Sequence, residues 1–234
     1  QRLVEQRGDF AGDAEGARRT INAWVDCETS HRIQDLLPPG ATEGSVLVFV
    51  NALSMGVPWQ SPFGGTADAP FTLLDGSETT VPMMHRADTQ PVPYVADADL
   101  EAAALPLLGG ELEVVLVVPR AGKFDTVEAS LDGSGFAALQ SALVPTGLAI
   151  ALPKFRFTSE AMDLEPALQD LGMKLAFSTP DFSGIGVDSP VVFVLQKTMV
   201  AFDEGGIEAA AATAVGTGGG SYQDPPTTVF EVDR

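Results

Sequence analysis

Apolar positions along the chain repeat with two periods, and these divide it into a few helices and many strands. Ala17, Ile21, Trp24 and Val25 recur at helical spacing behind Asp13, whose short carboxylate suits an N-cap, so a helix is predicted to run through Val25. Pro38-Pro39-Gly40 breaks the next turn. Residues 46–50 form an unbroken apolar run ahead of Asn51, as expected of a strand buried on both faces. Residues 79–84 and 112–118, the latter ended by Pro119, also read as strands. Residues 136–143 read as a short helix behind Asp132-Gly133, and 148–152 return to strand. Leu164, Leu168 and Leu171 mark another short helix, closed by Gly172, a residue suited to the left-handed turn at a helix end. Residues 191–202 form a long strand, apolar along most of its length. Long strands with few helices between them make an α+β chain, not a regular βαβ one.

Directly after that long strand, residues 203–215 read Asp-Glu-Gly-Gly-Ile-Glu-Ala-Ala-Ala-Ala-Thr-Ala-Val, with Gly216, Gly218, Gly219 and Gly220 close behind. Such a segment suits a loop in one state and a strand in another. Alanine loses almost no rotamer entropy on burial and fits between strands without opening them far. As a strand, Ile207, Ala209, Ala211, Thr213 and Val215 share one mostly apolar face, because side chains alternate. The plain alternatives are a short alanine helix and a flexible surface loop, since alanine is the best helix former.

Composition narrows the function classes. At 234 residues, with 45% hydrophobic content and a mean hydropathy of +0.15, the chain is globular. Its 32 acids against 13 bases give a net charge of −19, which disfavours nucleic acid and anionic membranes as partners. No run approaches the ~18 apolar residues of a membrane helix. The single cysteine, Cys27, excludes an internal disulfide framework and reads as a packing residue. The chain starts at Gln1, so no targeting segment is read from it; an extracellular location is compatible with the sequence but not fixed by it.

Enzyme chemistry is sparse, and no catalytic residue, metal ligand or cofactor is assigned. His31 lies after a predicted helix and His85 after a predicted strand, both as surface residues. Cys27 and His31 have i,i+4 spacing, yet nothing nearby completes them with an orienting acid and oxyanion donors. No zinc spacing exists. The stretch 216–221 is glycine-rich but lacks the lysine and following helix of a phosphate cradle, and Ser221 has no nucleophile elbow around it.

The segment 202–213, Phe-Asp-Glu-Gly-Gly-Ile-Glu-Ala-Ala-Ala-Ala-Thr, resembles the hinge of the serpin reactive-centre loop. Further blocks are similar to serpin motifs and stand in family order. They are 20–25 (Thr-Ile-Asn-Ala-Trp-Val), Val50-Asn51-Ala52 with Trp59 and Phe63, Pro82-Met83-Met84, Leu105-Pro106, Leu152-Pro153-Lys154-Phe155, 181–185 (Asp-Phe-Ser-Gly-Ile) and the terminal 230–234. The likeness covers nearly the whole chain. It implies a single serpin-like domain over 1–234 with large mixed sheets, surrounding helices and an exposed reactive-centre loop at 205–226. Serpin domains are longer than this chain, so the resemblance also implies missing helices before Gln1 and missing core strands after Arg234.

The resemblance implies a protease inhibitor, not an enzyme. A target serine protease attacks the loop as substrate, and the freed loop enters the main sheet as an extra strand, dragging the acylated protease with it. The hinge is then Glu204, Gly205, Gly206, Ile207, Glu208, Ala209, Ala210, Ala211, Ala212 and Thr213. Glu204 occupies the hinge glutamate position and Lys154 that of the lysine paired with it. Asn51 matches the asparagine beneath the point where the sheet opens, and Trp59 the tryptophan near the start of insertion. From 206 to 220 the loop reaches ~50 Å at ~3.3 Å per residue. Counting forward from Glu204 in the family pattern places the scissile bond at Gly220–Ser221, with Tyr222–Gln223 as rival. Small residues suit elastase-like or subtilisin-like proteases, and tyrosine suits a chymotrypsin-like one.

Two positions depart from the family. Gln196 stands where a histidine usually precedes the lysine of the long strand; it hydrogen-bonds but does not charge. Ile207 replaces a small threonine or serine and predicts slower insertion. These departures, with the glycine-rich loop, leave a non-inhibitory binding or carrier module as the alternative.

Overall fold

A computed structural model of the chain describes residues 9–87, 91–185, 191, 193–207 and 228–234. The elements in chain order begin with α1 (Ala14–Glu28), β1 (Phe49–Ser54), β2 (Val57–Pro58), β3 (Gly65–Thr72) and β4 (Glu78–Ala87). Then come β5 (Val92–Ala96), β6 (Leu100–Pro106), β7 (Glu113–Pro119), α2 (Phe124–Ser130), α3 (Gly133–Ala142) and β8 (Val144–Thr146). They continue with β9 (Leu148–Pro153), β10 (Phe155–Thr158), β11 (Met162–Asp163), α4 (Glu165–Asp170), β12 (Val194–Asp203), β13 (Gly206–Ile207) and β14 (Thr228–Glu231). The mixture of helices and several sheets is α+β. Two compact units contain these elements: Gln1–Met55 with Phe157–Val200, and Gly56–Arg156 with Ala201–Arg234.

In the first unit, α1 starts where the sequence predicts. Asp13 Oδ1 accepts from the Gly16 N–H at 2.8 Å, satisfying one of the donors a helix start leaves open. Ala17 and Val25 are buried on one face. Asn22 is buried too, and its amide grips the following loop. Its Nδ2 donates to Leu37 O at 2.9 Å, and Leu37 N–H donates to its Oδ1 at 2.8 Å. That grip seats Ile33, Leu36 and Leu37, all fully buried. β1 runs parallel to β12, from Phe49↔Val194 to Ser54↔Met199, and β11 lies antiparallel to β12.

Two expectations change here, and a third element forms as predicted but on the surface. The apolar run 46–50 is not buried on both faces: pairing begins at Phe49, and Val46 and Phe49 are 55% and 41% exposed. A strand's burial depends on what covers the sheet, which its own sequence does not specify. Cys27 is exposed, because it sits on the outer side of α1 and not on the Ala17–Val25 face. α4 buries no residue, although Gly172 turns with φ +102 where a helix-ending glycine is expected.

In the second unit, one sheet has the order β14-β9-β4-β3 and another β7-β6-β5-β8. β9 is buried along nearly its whole length, as its continuous apolar sequence requires. Leu148, Ile150 and Leu152 join Met83, Met84 and Phe230 among the fully buried side chains, each worth ~1.5–3 kcal/mol of transfer free energy. Phe230 anchors β14, which pairs in parallel with β9, and its ring meets Tyr94 edge-on at 6.0 Å. Val127 of α2 and Leu139 of α3 close over Leu100 and Ala102. His85 lies within β4 and not after a strand, on its exposed side. No helix among the described residues is long and apolar enough to cross a membrane.

Candidate functional site

β12 ends at Asp203, and the chain reverses at once. Asp203 Oδ1 accepts from the N–H groups of Gly205 at 2.8 Å and Gly206 at 3.1 Å, a turn stapled by its own side chain. Trp59 N–H donates to Gly205 O, and Phe63 N–H to Glu204 O, each at 2.9 Å. The two residues of β13 then pair on both sides. Ile207 and Gly206 face Phe202 and Asp203 of β12, and Val57 and Pro58 of β2. Gly206 has φ +149, and a Cβ there would lie 2.5 Å from Pro58 Cα and from Val57 O. Only glycine permits that approach.

Glu204 is held on the outside of the turn. Lys154 Nζ donates to its Oε2 at 2.7 Å and Thr66 Oγ1 to its Oε1 at 2.5 Å. The Lys154 hydrogen bond, followed by that from Thr66, pulls the Glu204 carboxyl down to about 2, and the same carboxylate raises Lys154. The two side chains are 44% and 36% exposed, so solvent screens the pair to ~0–1 kcal/mol.

Trp59 backs the turn. It is 1% exposed, and its Nε1–H donates to Asp203 O at 3.0 Å. Its ring stacks on Phe202 at 5.4 Å and meets Phe63 edge-on at 5.8 Å, pairs worth ~0.5–1.5 kcal/mol each beyond their burial. The Arg86 guanidinium lies 4.8 Å from the Phe63 ring centroid and 5.9 Å from that of Trp59.

In the first unit, Asn51 and Gln196 are register partners, and Asn51 Nδ2 donates to Gln196 Oε1 at 3.1 Å. Gln196 Nε2 donates onward to Thr198 Oγ1 at 3.2 Å, and Thr198 N–H donates to Ser159 Oγ at 3.0 Å. The structure therefore brings Lys154 to Glu204, Trp59 to the turn, and Asn51 to Gln196. Glu208, Ala209, Ala210, Ala211, Ala212, Thr213, Gly220, Ser221, Tyr222 and Gln223 lie outside the described residues.

Cys27 and His31 do not form the i,i+4 pair weighed from sequence. α1 ends at Glu28, His31 turns with φ +63, and its Nδ1 pairs with Asp26 Oδ2 at 2.8 Å. Among the described residues no group of His, Cys, Asp and Glu side chains could hold a metal ion. Sequence reasoning missed Thr66 and Arg86, which carry no local signal. Asp203 had one: an aspartate followed at the second and third positions by glycine favours such a turn.

A family model described as Serpin (serine protease inhibitor) matches residues 4–234. The chain belongs to the serpin family. It is 36% identical over 97% of its length to an uncharacterized serpin-like protein of Thermococcus kodakarensis, covering 53% of that relative. It is 31% identical over 88% of its length to the leukocyte elastase inhibitor of Xenopus laevis, covering 58% of it. The solved structure of thyroxine-binding globulin with thyroxine superposes with a TM-score of 0.79 at 22% identity, over 97% of this serpin chain and 60% of the globulin. That likeness concerns the fold. The chain thus spans between half and two thirds of the length of these relatives.

Proposed function

We propose that this serpin is a protease inhibitor, not an enzyme, and that it acts by suicide cleavage of a reactive-centre loop at 205–226 followed by insertion of the loop into the main sheet. The observation that carries the proposal is β13: the first loop residues after the Glu204 turn already have strand pairing on both sides. A strand begun there has a template to continue along. The target is a serine protease. Its serine oxygen attacks the Gly220 carbonyl, the bond to the Ser221 nitrogen breaks, and that nitrogen leaves as an amine while Gly220 stays as an ester on the protease. Insertion then distorts the acyl-enzyme before water completes the second step. Tyr222–Gln223 is the rival bond. The whole domain over 1–234 serves this one motion, with Lys154 and Glu204 setting the hinge, Trp59 supporting it, and Asn51 with Gln196 bridging strands that must part.

The test is incubation of the full-length protein with elastase-like, subtilisin-like and chymotrypsin-like proteases, followed by denaturing gels and mass spectrometry of the loop. A covalent complex at Gly220 or Tyr222 is expected. Cleavage by all of them without any complex overturns the proposal.

The second role, a binding or carrier module without inhibition, is favoured by Gln196 in place of the family's histidine and by the glycine-rich sequence 216–221. It predicts that loop cleavage leaves the melting temperature unchanged, whereas inhibition by insertion predicts a large rise.

A further inference from the structure

A pocket of about 260 Å³ lies beside α1 in the first unit, between the helix and the loop that follows it. Arg19, Ala23 and Asp26 line the helix side, and Gln34 and Asp35 line the loop side. Its size suits a small metabolite, just below the ~300 Å³ at which pockets for drug-sized ligands begin. Two further lining residues are already engaged. Arg18 donates through Nε and Nη2 to Glu15 and through Nη1 to Leu37 O. The Asn22 amide both donates to Leu37 and accepts from it. These bonds hold the loop against the helix, and Lys197 Nζ, donating to Gln34 O at 2.8 Å, ties the loop to β12. The pocket walls are therefore fixed before any ligand arrives.

The remaining charges are sorted by sign along the pocket. At one end Asp26 Oδ2 pairs with His31 Nδ1 at 2.8 Å, while Asp26 Oδ1 is buried and has no hydrogen-bond partner among the described residues. A carboxylate oxygen in that position carries a desolvation cost that a donor removes. Asp35 joins it from the loop, turning with φ +50, a left-handed conformation that aspartate tolerates. Its charged neighbour is Arg18, whose guanidinium is occupied by Glu15. The last turn of α1 adds to this negative end. It holds Asp26 and Glu28 with no basic residue, where the helix carbonyls already concentrate partial negative charge. At the other end stands Arg19, two helical turns from Asp26, which puts ~10 Å between their Cα atoms along the axis. Side chains on a helix lean toward its N-terminus, so Asp26 reaches toward Ala23, whose small methyl group forms the floor between the two charges.

We propose that this pocket binds a small guanidino acid: the guanidinium seats against Asp26 Oδ1 and Asp35, the carboxylate meets Arg19, and the aliphatic stem crosses Ala23. A planar guanidinium presents donors along several edges, so it serves two carboxylates from separate chain segments better than a compact ammonium does. Such a ligand supplies the donor that Asp26 lacks, the cation that the last turn of α1 lacks and an anion for Arg19. The site lies within the first unit and does not depend on the inhibitory role.

Isothermal titration calorimetry on the full-length protein at constant ionic strength tests this with four probes. They are L-arginine; L-citrulline, which replaces the guanidinium with a neutral ureido group; agmatine, which lacks the carboxylate; and acetyl-Gly-Arg-Gly-amide, which buries it in a peptide. L-arginine should bind saturably at one site per chain, and L-citrulline more weakly by about tenfold or more. Asp26→Asn and Asp35→Asn should each weaken L-arginine by about tenfold. Arg19→Gln should weaken L-arginine and leave agmatine unchanged. Glu43→Gln removes an equal charge from the same unit outside the pocket and should match the parent. Urea melts establish that each variant is folded, and the citrulline comparison needs no variant at all. Equal affinity for L-arginine and L-citrulline, or an equal loss in Glu43→Gln and Asp26→Asn, overturns the site as general attraction to an acidic surface. Equal binding of L-arginine, agmatine and the capped peptide, with Arg19→Gln silent, overturns the free guanidino acid in favour of an arginine on a protein chain. No saturable binding of any probe below about 10 mM overturns the site and leaves Asp26 Oδ1 to water.

Discussion

Asn51 and Gln196 face each other across the parallel pair of β1 and β12, and the acceptor in their 3.1 Å hydrogen bond is a neutral amide oxygen. This contact does not titrate at ordinary pH. Gln196→His makes it titrate. A protonated imidazole offers Asn51 no lone pair, so the folded state disfavours the charged ring and its pKa drops below the unfolded ~6.5. Stability is then present above that value and declines as pH falls through it. Denaturant melts at about pH 5.5 and about pH 8 should show an extra loss of ~1 kcal/mol at the lower pH in Gln196→His relative to the parent. Parallel pH profiles for the two proteins rule this out.

Glu204 offers an acid-side counterpart. Its carboxyl is depressed to about 2, chiefly by Lys154, so its stabilisation is complete above the ordinary carboxylate value of 4.5 and is lost as pH falls toward about 2. Glu204→Gln should be less stable than the parent by ~1 kcal/mol or less at neutral pH, given the exposure of the pair. The difference between the two proteins should shrink between 4.5 and about 2. A gap that stays constant across that window would show that the charge on Glu204 contributes nothing.

Asn22 is the polar residue whose loss should cost most in the first unit. It satisfies both the N–H and the C=O of Leu37, and it is itself buried. Asn22→Ala leaves the Leu37 N–H orphaned, while Arg18 Nη1 still donates to Leu37 O at 2.9 Å. A destabilisation of ~2–3 kcal/mol in urea melts is expected; a loss under ~0.5 kcal/mol would mean water replaces the amide freely.

Salt should stabilise this serpin. A net charge of −19 repels itself over the folded surface, and screening shortens its reach from ~10 Å at 0.1 M to ~3 Å at 1 M. The melting temperature should rise by several degrees over that range of potassium chloride. A fall would show that ion pairs such as Lys123–Asp99, at 2.8 Å, outweigh the general repulsion.

Local sequence specified elements more readily than surroundings. The Asp13 cap, the β9 run and the long β12 strand each carry a pattern that backbone geometry alone enforces. β3 carries none: Gly-Thr-Ala-Asp-Ala-Pro-Phe-Thr is mostly exposed, and its conformation is fixed by pairing with β4, from Gly65↔His85 to Thr72↔Glu78. Val46 and Cys27 were misplaced for a related reason, since exposure is decided by neighbours distant in sequence. The contact between Lys154 and Glu204, 50 residues apart, has no local signature at all, and only the resemblance to a family directed attention to it. The seating of Ile207 went unforeseen because a bulky residue beside two glycines reads as an obstacle, whereas Gly206 brings the backbone close enough to place it inside.

Phe230 gives the stretch from residue 228 onward its own mooring. With its ring fully buried against Tyr94 and β14 laced to β9, the carboxyl-terminal piece has no reason to depart when the polypeptide is severed upstream. A nicked molecule should therefore migrate as one body through a sizing column, and its two pieces should separate only once detergent or urea has dissolved the core.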